Sequence, residues 1–118
     1  MEEVIYFNSG GNLNSNEYLL PNGQTANDEA ARIMMMNEGY IKSMMIRLNK
    51  PPGNGGSRTF TLQVNGRNTE MSITFKGDIM EGITCESICL NRWDNIAIIN
   101  TTSGNPTRSG CVISLRKI

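Results

Sequence analysis

An all-β antiparallel sandwich is the fold class that this sequence predicts, and three observations carry it. Two alternating runs meet at Asn65-Gly66, short apolar runs bounded by turn residues recur along the chain, and almost no stretch has a convincing helical period. In Arg58-Thr-Phe-Thr-Leu-Gln-Val64, Phe60, Leu62 and Val64 share one face while Thr59, Thr61 and Gln63 share the other. Glu70 to Phe75 resumes the alternation with Met71, Ile73 and Phe75. A period of two sends every second side chain to the same face of a pleated strand. Asn-Gly supplies the positive φ angles of a tight reversal, so the two runs form a hairpin, with a short or slightly lengthened loop.

The remaining elements follow in order. Glu3 to Phe7 reads as a strand, followed by a polar loop over Asn8 to Asn12. Glu17 to Leu20 is a short strand stopped by Pro21-Asn-Gly23, and Gln24 to Glu29 is polar and undecided. Ala30 to Met36 has features of both classes. Asn27 as a cap with Asp28, Glu29 and two alanines suits a helix start, whereas the short apolar run ended by Asn37-Glu-Gly39 suits a strand; strand is the reading adopted.

Tyr40 to Leu48 is a strand with Met44, Ile46 and Leu48 on one face. Lys50 to Ser57, with two prolines and three glycines, is expected to be loop. After the hairpin come a strand over Thr84 to Leu90, a turn at Arg92 to Asn95, and a strand over Asn95 to Thr101 with Ile96 and Ile98 on one face. A polar loop over Thr102 to Gly110 precedes a last strand, in which Cys111, Ile113 and Leu115 alternate with Val112, Ser114 and Arg116. The tally is eight or nine regularly spaced strands, which is the pattern of a sandwich or barrel. At 118 residues, 1–118 forms one domain, without linker or repeat.

Composition removes several function classes. Eleven Lys and Arg balance eleven Asp and Glu, so no basic field gathers phosphates and nucleic acid is not the expected partner. Zero net charge also leaves little to oppose self-association. The chain has no histidine, the usual general base near neutral pH, and its acidic residues are scattered; no catalytic residue is nominated and the protein is not expected to be an enzyme. Without histidine or a Cys-x-x-Cys pair, no metal site and no cofactor are expected either. The acidic start and the lack of an apolar run near ~18 residues predict neither signal peptide nor membrane span.

Cys85, Cys89 and Cys111 cannot all pair within one chain, and their expected role is that of small buried hydrophobes in a reducing compartment. On one strand, Cys85 and Cys89 would stand ~13 Å apart, too far to bridge. Asn100-Thr-Thr102 fits a glycosylation sequon but lacks a secretory context. The glycines of Pro52 to Ser57 lead into a strand, so the loop lacks the helix that a phosphate cradle needs.

Surface candidates are few. Met44 and Met71 fall on inward faces as core filler, while Met45 faces the other way, as do Ile99 and Val112. Met45, Ile99 and Val112 are therefore the candidate subunit contacts, thioethers being adaptable at interfaces. Trp93 beside Asp94 either stacks on a sugar or plugs the open end of the sandwich, the plug being the favoured reading. With the loop residues Asn54 and Asn105, Trp93 and Asp94 form the candidate ligand surface.

An ordered set of motifs resembles a known family. Gly39 to Leu48 is a "glycine, x, isoleucine, alternating apolar" strand, followed by Pro52-Gly-Asn-Gly, Thr59-Phe-Thr-Leu62 and Asn65-Gly66. Trp93-Asp94-Asn-Ile-Ala-Ile98 is similar to that family's Gly-Asp turn, and Ser103 to Pro106 and Ser109 to Ile118 to its loop and closing strand. The family comprises virus and bacteriophage surface proteins, small jelly-roll sandwiches similar in outline to the tumour necrosis factor and C1q heads and often trimeric. The chain departs from it at Trp93, where glycine is usual, and in its methionine-rich run. The resemblance implies an antiparallel jelly-roll of about eight strands and a structural virion protein: a fibre head, tail or collar component, or capsid decoration. Such a protein would be assembled in the host cytoplasm as a homotrimer, contacting other virion proteins and, where it serves attachment, a host receptor or glycan. The alternative is a carbohydrate- or receptor-binding module, built on Trp93, Tyr18 and Tyr40.

Overall fold

The computed structural model describes residues 2–19, 21, 25–26 and 32–118. Among them run ten strands: β1 (Glu3–Asn8), β2 (Glu17–Leu19), β3 (Thr25–Ala26), β4 (Ile33–Met34), β5 (Gly39–Leu48), β6 (Gly53–Val64), β7 (Arg67–Gly77), β8 (Glu81–Leu90), β9 (Asn95–Gly104) and β10 (Cys111–Lys117). Two antiparallel sheets pack as a sandwich, one in the order β1-β10-β5-β8 and the other β3-β2-β9-β6-β7, with β4 also paired to β9. The all-β class read from the sequence is the class observed. Leu20, Asn22 to Gln24 and the Asn27 to Ala31 part of the helix-or-strand question lie outside the described residues; within them, Ile33–Met34 is strand. No described helix is long and apolar enough to cross a membrane.

The pairing is nested. β6 pairs with β7, β5 with β8, β2 with β9 and β1 with β10. Each successive pair encloses the previous one along the chain, and the sheet assignment alternates only where loops cross between layers. The innermost hairpin is the one that the sequence announces: Val64 sits opposite Arg67, so the loop is the two residues Asn65 and Gly66, at φ 53° and 80°. Both angles are positive, as a type I′ turn demands, and its twist matches that of the flanking strands.

The core fills as period two requires. Phe60, Leu62, Met71 and Phe75 from one sheet meet Met44, Ile46, Ile113 and Leu115 from the other, all buried. Phe60 and Phe75 lie edge to face with centroids 5.9 Å apart and rings inclined at 81°. That geometry adds about 0.5–1.5 kcal/mol to the apolar burial of the pair.

Two expectations are corrected. The glycine-rich stretch expected to be loop is strand from Gly53 onward, with Gly53 opposite Gly77 and Gly56 opposite Gly104. The prolines stop short of the ladder, and glycine is what the ladder needs here: a Cβ on Gly56 would lie 2.2 Å from the Ser103 carbonyl oxygen. β6 and β9 approach too closely for any side chain. The second correction concerns the thiols: Cys111 is buried, but Cys85 and Cys89 are exposed. They lie on β8, an edge strand, opposite Cys89's neighbour Tyr40 and Cys85's neighbour Ser43 on β5.

Cys111 is held apart chemically as well. Burial pushes its thiol from an ordinary 9.0 up to about 12, with Ser9 and the Arg58 charge acting weakly the other way. A raised acid pKa contributes stability below the unfolded-state value and loses it as pH rises through the folded one. Stability is therefore expected to fall from about pH 9 upward. In the folded single chain a thiol reagent should titrate Cys85 and Cys89 but reach Cys111 only on unfolding; immediate reaction of all three would contradict the burial.

Candidate functional site

The outer face of the β1-β10-β5-β8 sheet is the first candidate. Its registers place Tyr6, Ser114, Met45 and Ile83 in one row across all four strands. At a strand spacing of ~4.8 Å, the row spans roughly 14 Å. Met45 is 56% exposed and Ile83 58%, and Val4, Tyr6 and Val112 are exposed beside them. Between Met45, Ile83 and Val112 runs an open groove of about 610 Å³, flanked by Arg47 and Glu81. Contiguous exposed apolar side chains of this kind mark interaction surfaces on soluble proteins.

Charges of both signs border the apolar row. Arg47 donates to Glu81 at 2.8 Å, Arg116 lies 3.9 Å from Glu2, and Lys42 donates to Ser87 at 2.8 Å. The other sheet's outer face is different in kind. There Thr59 and Thr74 bond at 2.8 Å and Thr61 and Ser72 at 3.1 Å, a ladder of hydroxyls satisfied among themselves. Of the three expected contacts, Met45 and Val112 belong to the apolar face, whereas Ile99 lies half-buried on β9 of the opposite sheet, across from Thr61 and Tyr18. Tyr6 and Ile83 were not anticipated; both follow the parity of their strands, and Ile83 lies just before the range read as β8.

The four candidate ligand residues divide between the two ends of the sandwich. β9 starts at Asn95, next to Trp93 and Asp94, and ends at Gly104, next to Asn105. Ten residues of strand place these ends roughly 33 Å apart. At the first end, Trp93 is 72% exposed, so it does not plug the sandwich. Met35, buried, closes the core there, receiving a bond from the Trp93 N–H and donating its own to the Asp94 carbonyl, both at 2.8 Å. A groove of about 350 Å³ runs beside Trp93, lined by Met34, Met35, Met36, Asn37 and Arg92. Neither Tyr18 nor Tyr40 lines it.

Asp94 holds the turn. Its carboxylate accepts from the Asn91 N–H at 2.8 Å and from the Asn65 amide at 2.9 Å, tying the β8–β9 connection to the hairpin turn. These two bonds, the Asn91 one first, keep its acid below the ordinary carboxylate value. Asp94 is thus a structural clasp. Trp93 carries the opposite signature, with φ at +80°, a conformation that glycine favours and a bulky side chain resists. Such strain costs about 1–3 kcal/mol, against ~0.5–1 kcal/mol for the extra freedom glycine brings to the unfolded chain. Trp93→Gly is expected to raise stability by about 1 kcal/mol in denaturant unfolding; a loss would show that the indole packs favourably.

At the far end, Asn54 lies at the exposed tip of β6, and Asn105 donates its N–H to the Gly55 carbonyl at 2.9 Å. Behind Asn105 sits Arg58, 2% exposed, with partners at the edge of hydrogen-bond range: Asn100 Oδ1 at 3.4 Å and the Thr107 carbonyl at 3.3 Å. Its buried Nε has no partner. Burial pushes the guanidinium below its ordinary pKa, Cys111 and Glu17 opposing. Arg58 was within reach of the sequence, since it shares the parity of Phe60 and Leu62. Asn100 is fully buried, donating to the Asn14 carbonyl, so the sequon is closed to modification in the folded chain. Among the described residues no group of three or more His, Cys, Asp or Glu side chains is placed to hold a metal ion.

No protein-family model matches this chain, and no curated protein matches it. Function therefore rests on these surfaces.

Proposed function

We propose that this protein is a non-enzymatic assembly module, a jelly-roll sandwich that associates with copies of itself through the outer face of the β1-β10-β5-β8 sheet. The observation that carries the reading is the row of Tyr6, Met45 and Ile83, with Val4 and Val112, exposed on one sheet while the other sheet's outer face is occupied by bonded hydroxyls. An apolar centre with a polar rim is the anatomy of a protein interface. The occupant is a second copy, because the rim offers Arg47, Arg116 and Lys42 alongside Glu81 and Glu2, and the chain has no net charge to keep copies apart. The nested strand pairing supports the jelly-roll topology.

A closed three-fold ring is the proposed state, burying this sheet around the axis and leaving the loop ends free. The motif resemblance favours that state and a structural role on a virion, as a capsid decoration, fibre head or tail component. Light scattering at micromolar concentration tests it: the expected mass is three times the 13.1 kDa chain, and a monomer would refute self-assembly. A second reading, a glycan-binding module, is favoured by Trp93, strained and exposed beside a groove. A glycan array separates the two: binding that disappears in the Trp93→Gly variant supports the module, and a blank array removes it.

A further inference from the structure

We propose that the loop end beyond β9 holds a binding site for a small oxyanion group, carboxylate or phosphate, gripped by Arg58 and Arg108. The proposal stands apart from self-assembly, since none of these residues lies on the β1-β10-β5-β8 sheet. A cavity of about 200 Å³ opens there, lined among others by Asn14, Ser15, Arg58, Thr102, Asn105 and Arg108. Its polarity is unlike that of the Trp93 groove, since two guanidinium groups and two amides face one small space.

Arg58 is the observation that points to a ligand. A guanidinium carries five N–H donors in a fixed fork. Here two contacts are long, at 3.4 and 3.3 Å, and the Nε donor is buried without a partner. A buried charge left this poorly satisfied is costly, and native structures leave few such groups without a reason. No carboxylate pairs with Arg58 among the described residues. Glu17, the carboxylate whose charge acts on it, spends both oxygens on Asn14, at 3.3 Å to the backbone N–H and 2.9 Å to the amide. Arg108 is exposed and held only at 3.5 Å by Asn14 Oδ1. Two positive groups against one engaged carboxylate leave the cavity a net positive charge. Arginine forks match planar carboxylates and tetrahedral phosphates alike. Ser15 and Thr102, bonded to each other, supply hydroxyls at the rim.

The test follows the Arg58 Nε–H resonance in nitrogen-15-labelled protein during titration with sodium phosphate, acetate or glucuronate. Sodium chloride at equal ionic strength and glucose are the controls. The expected result is a saturable shift with at least one oxyanion that neither control produces, weakened about tenfold or more by Arg108→Gln, the loss of roughly one charge-assisted contact. A response to phosphate alone assigns a free tetrahedral ion, and a response to glucuronate exceeding that to acetate assigns an acidic sugar. Because Arg58→Lys risks unfolding the core, the exposed Arg108→Gln variant carries the decision. No shift beyond the controls, or a variant that titrates like the parent, overturns the proposal.

Discussion

Under the proposed self-association, replacing Met45 and Ile83 together by glutamate is expected to leave a folded monomer. The two side chains are adjacent across β5 and β8, Met45 directly opposite Ile83, at the β8 end of the exposed apolar row. In an interface they would be packed against another copy, and carboxylates there would face desolvation and one another. Like charges brought together in this way cost several kcal/mol, on the order of a 100-fold or greater loss in association. In an isolated chain the same positions face water, and two carboxylates directly opposite each other across the strands cost only about 1 kcal/mol. The expected outcome is thus a single-chain mass by light scattering with a cooperative unfolding transition at a modestly lower midpoint. Thr74→Glu, on the hydroxyl-lined outer face of the other sheet, should leave the mass of the assembly as it was. If the double variant stays fully assembled, the chain associates through another surface.

The largest effect on stability is expected from Phe60→Ala. Phe60 is fully buried on a strand with neighbours on both sides and meets Phe75 edge to face. Removing a buried phenyl ring forfeits its transfer energy and leaves a cavity that the sheets cannot wholly close, typically about 3–5 kcal/mol. A domain of this size has only about 5–15 kcal/mol to lose. Denaturant titration should show a far lower midpoint, and the control is Thr61→Ala, one position along but facing outward, where the loss should be small. A Phe60→Ala variant as stable as the parent would mean that the interior is not organised around this pair.

These contrasts explain what could be seen in advance. Side-chain parity is local, so the hairpin, the buried faces of β5, β6, β7 and β10, and the outward direction of Met45 and Val112 were all legible in the sequence. Parity does not say which sheet a strand joins. Ile99 and Met45 both turn away from the interior, yet they leave opposite sides of the sandwich. Local parity also breaks where a register slips: Ile41 and Met44 are both buried because a shift between Ile41 and Ser43 resets the alternation. The glycine run was misread because composition favours loops, whereas close approach of β6 and β9 depends on a partner distant in sequence. Arg58 shows the converse. Its inward parity was plain, but a charged residue at the end of a run is easily taken for the strand's solvent boundary.

The nested pairing has a kinetic consequence. Glu3 lies opposite Lys117, and Glu17 opposite Asn100, so the outer ladders form only after nearly the whole chain has been gathered. Loop-closure entropy must be met before such remote contacts give anything back, and β topologies of this kind fold in milliseconds to seconds. The Asn65-Gly66 hairpin needs no such closure and forms in ~1–10 μs in isolation. Maturation should therefore proceed outward from that turn, with β1 docking late, and until β1 is home the flank of β10 stands open as a template on which neighbouring nascent chains can add.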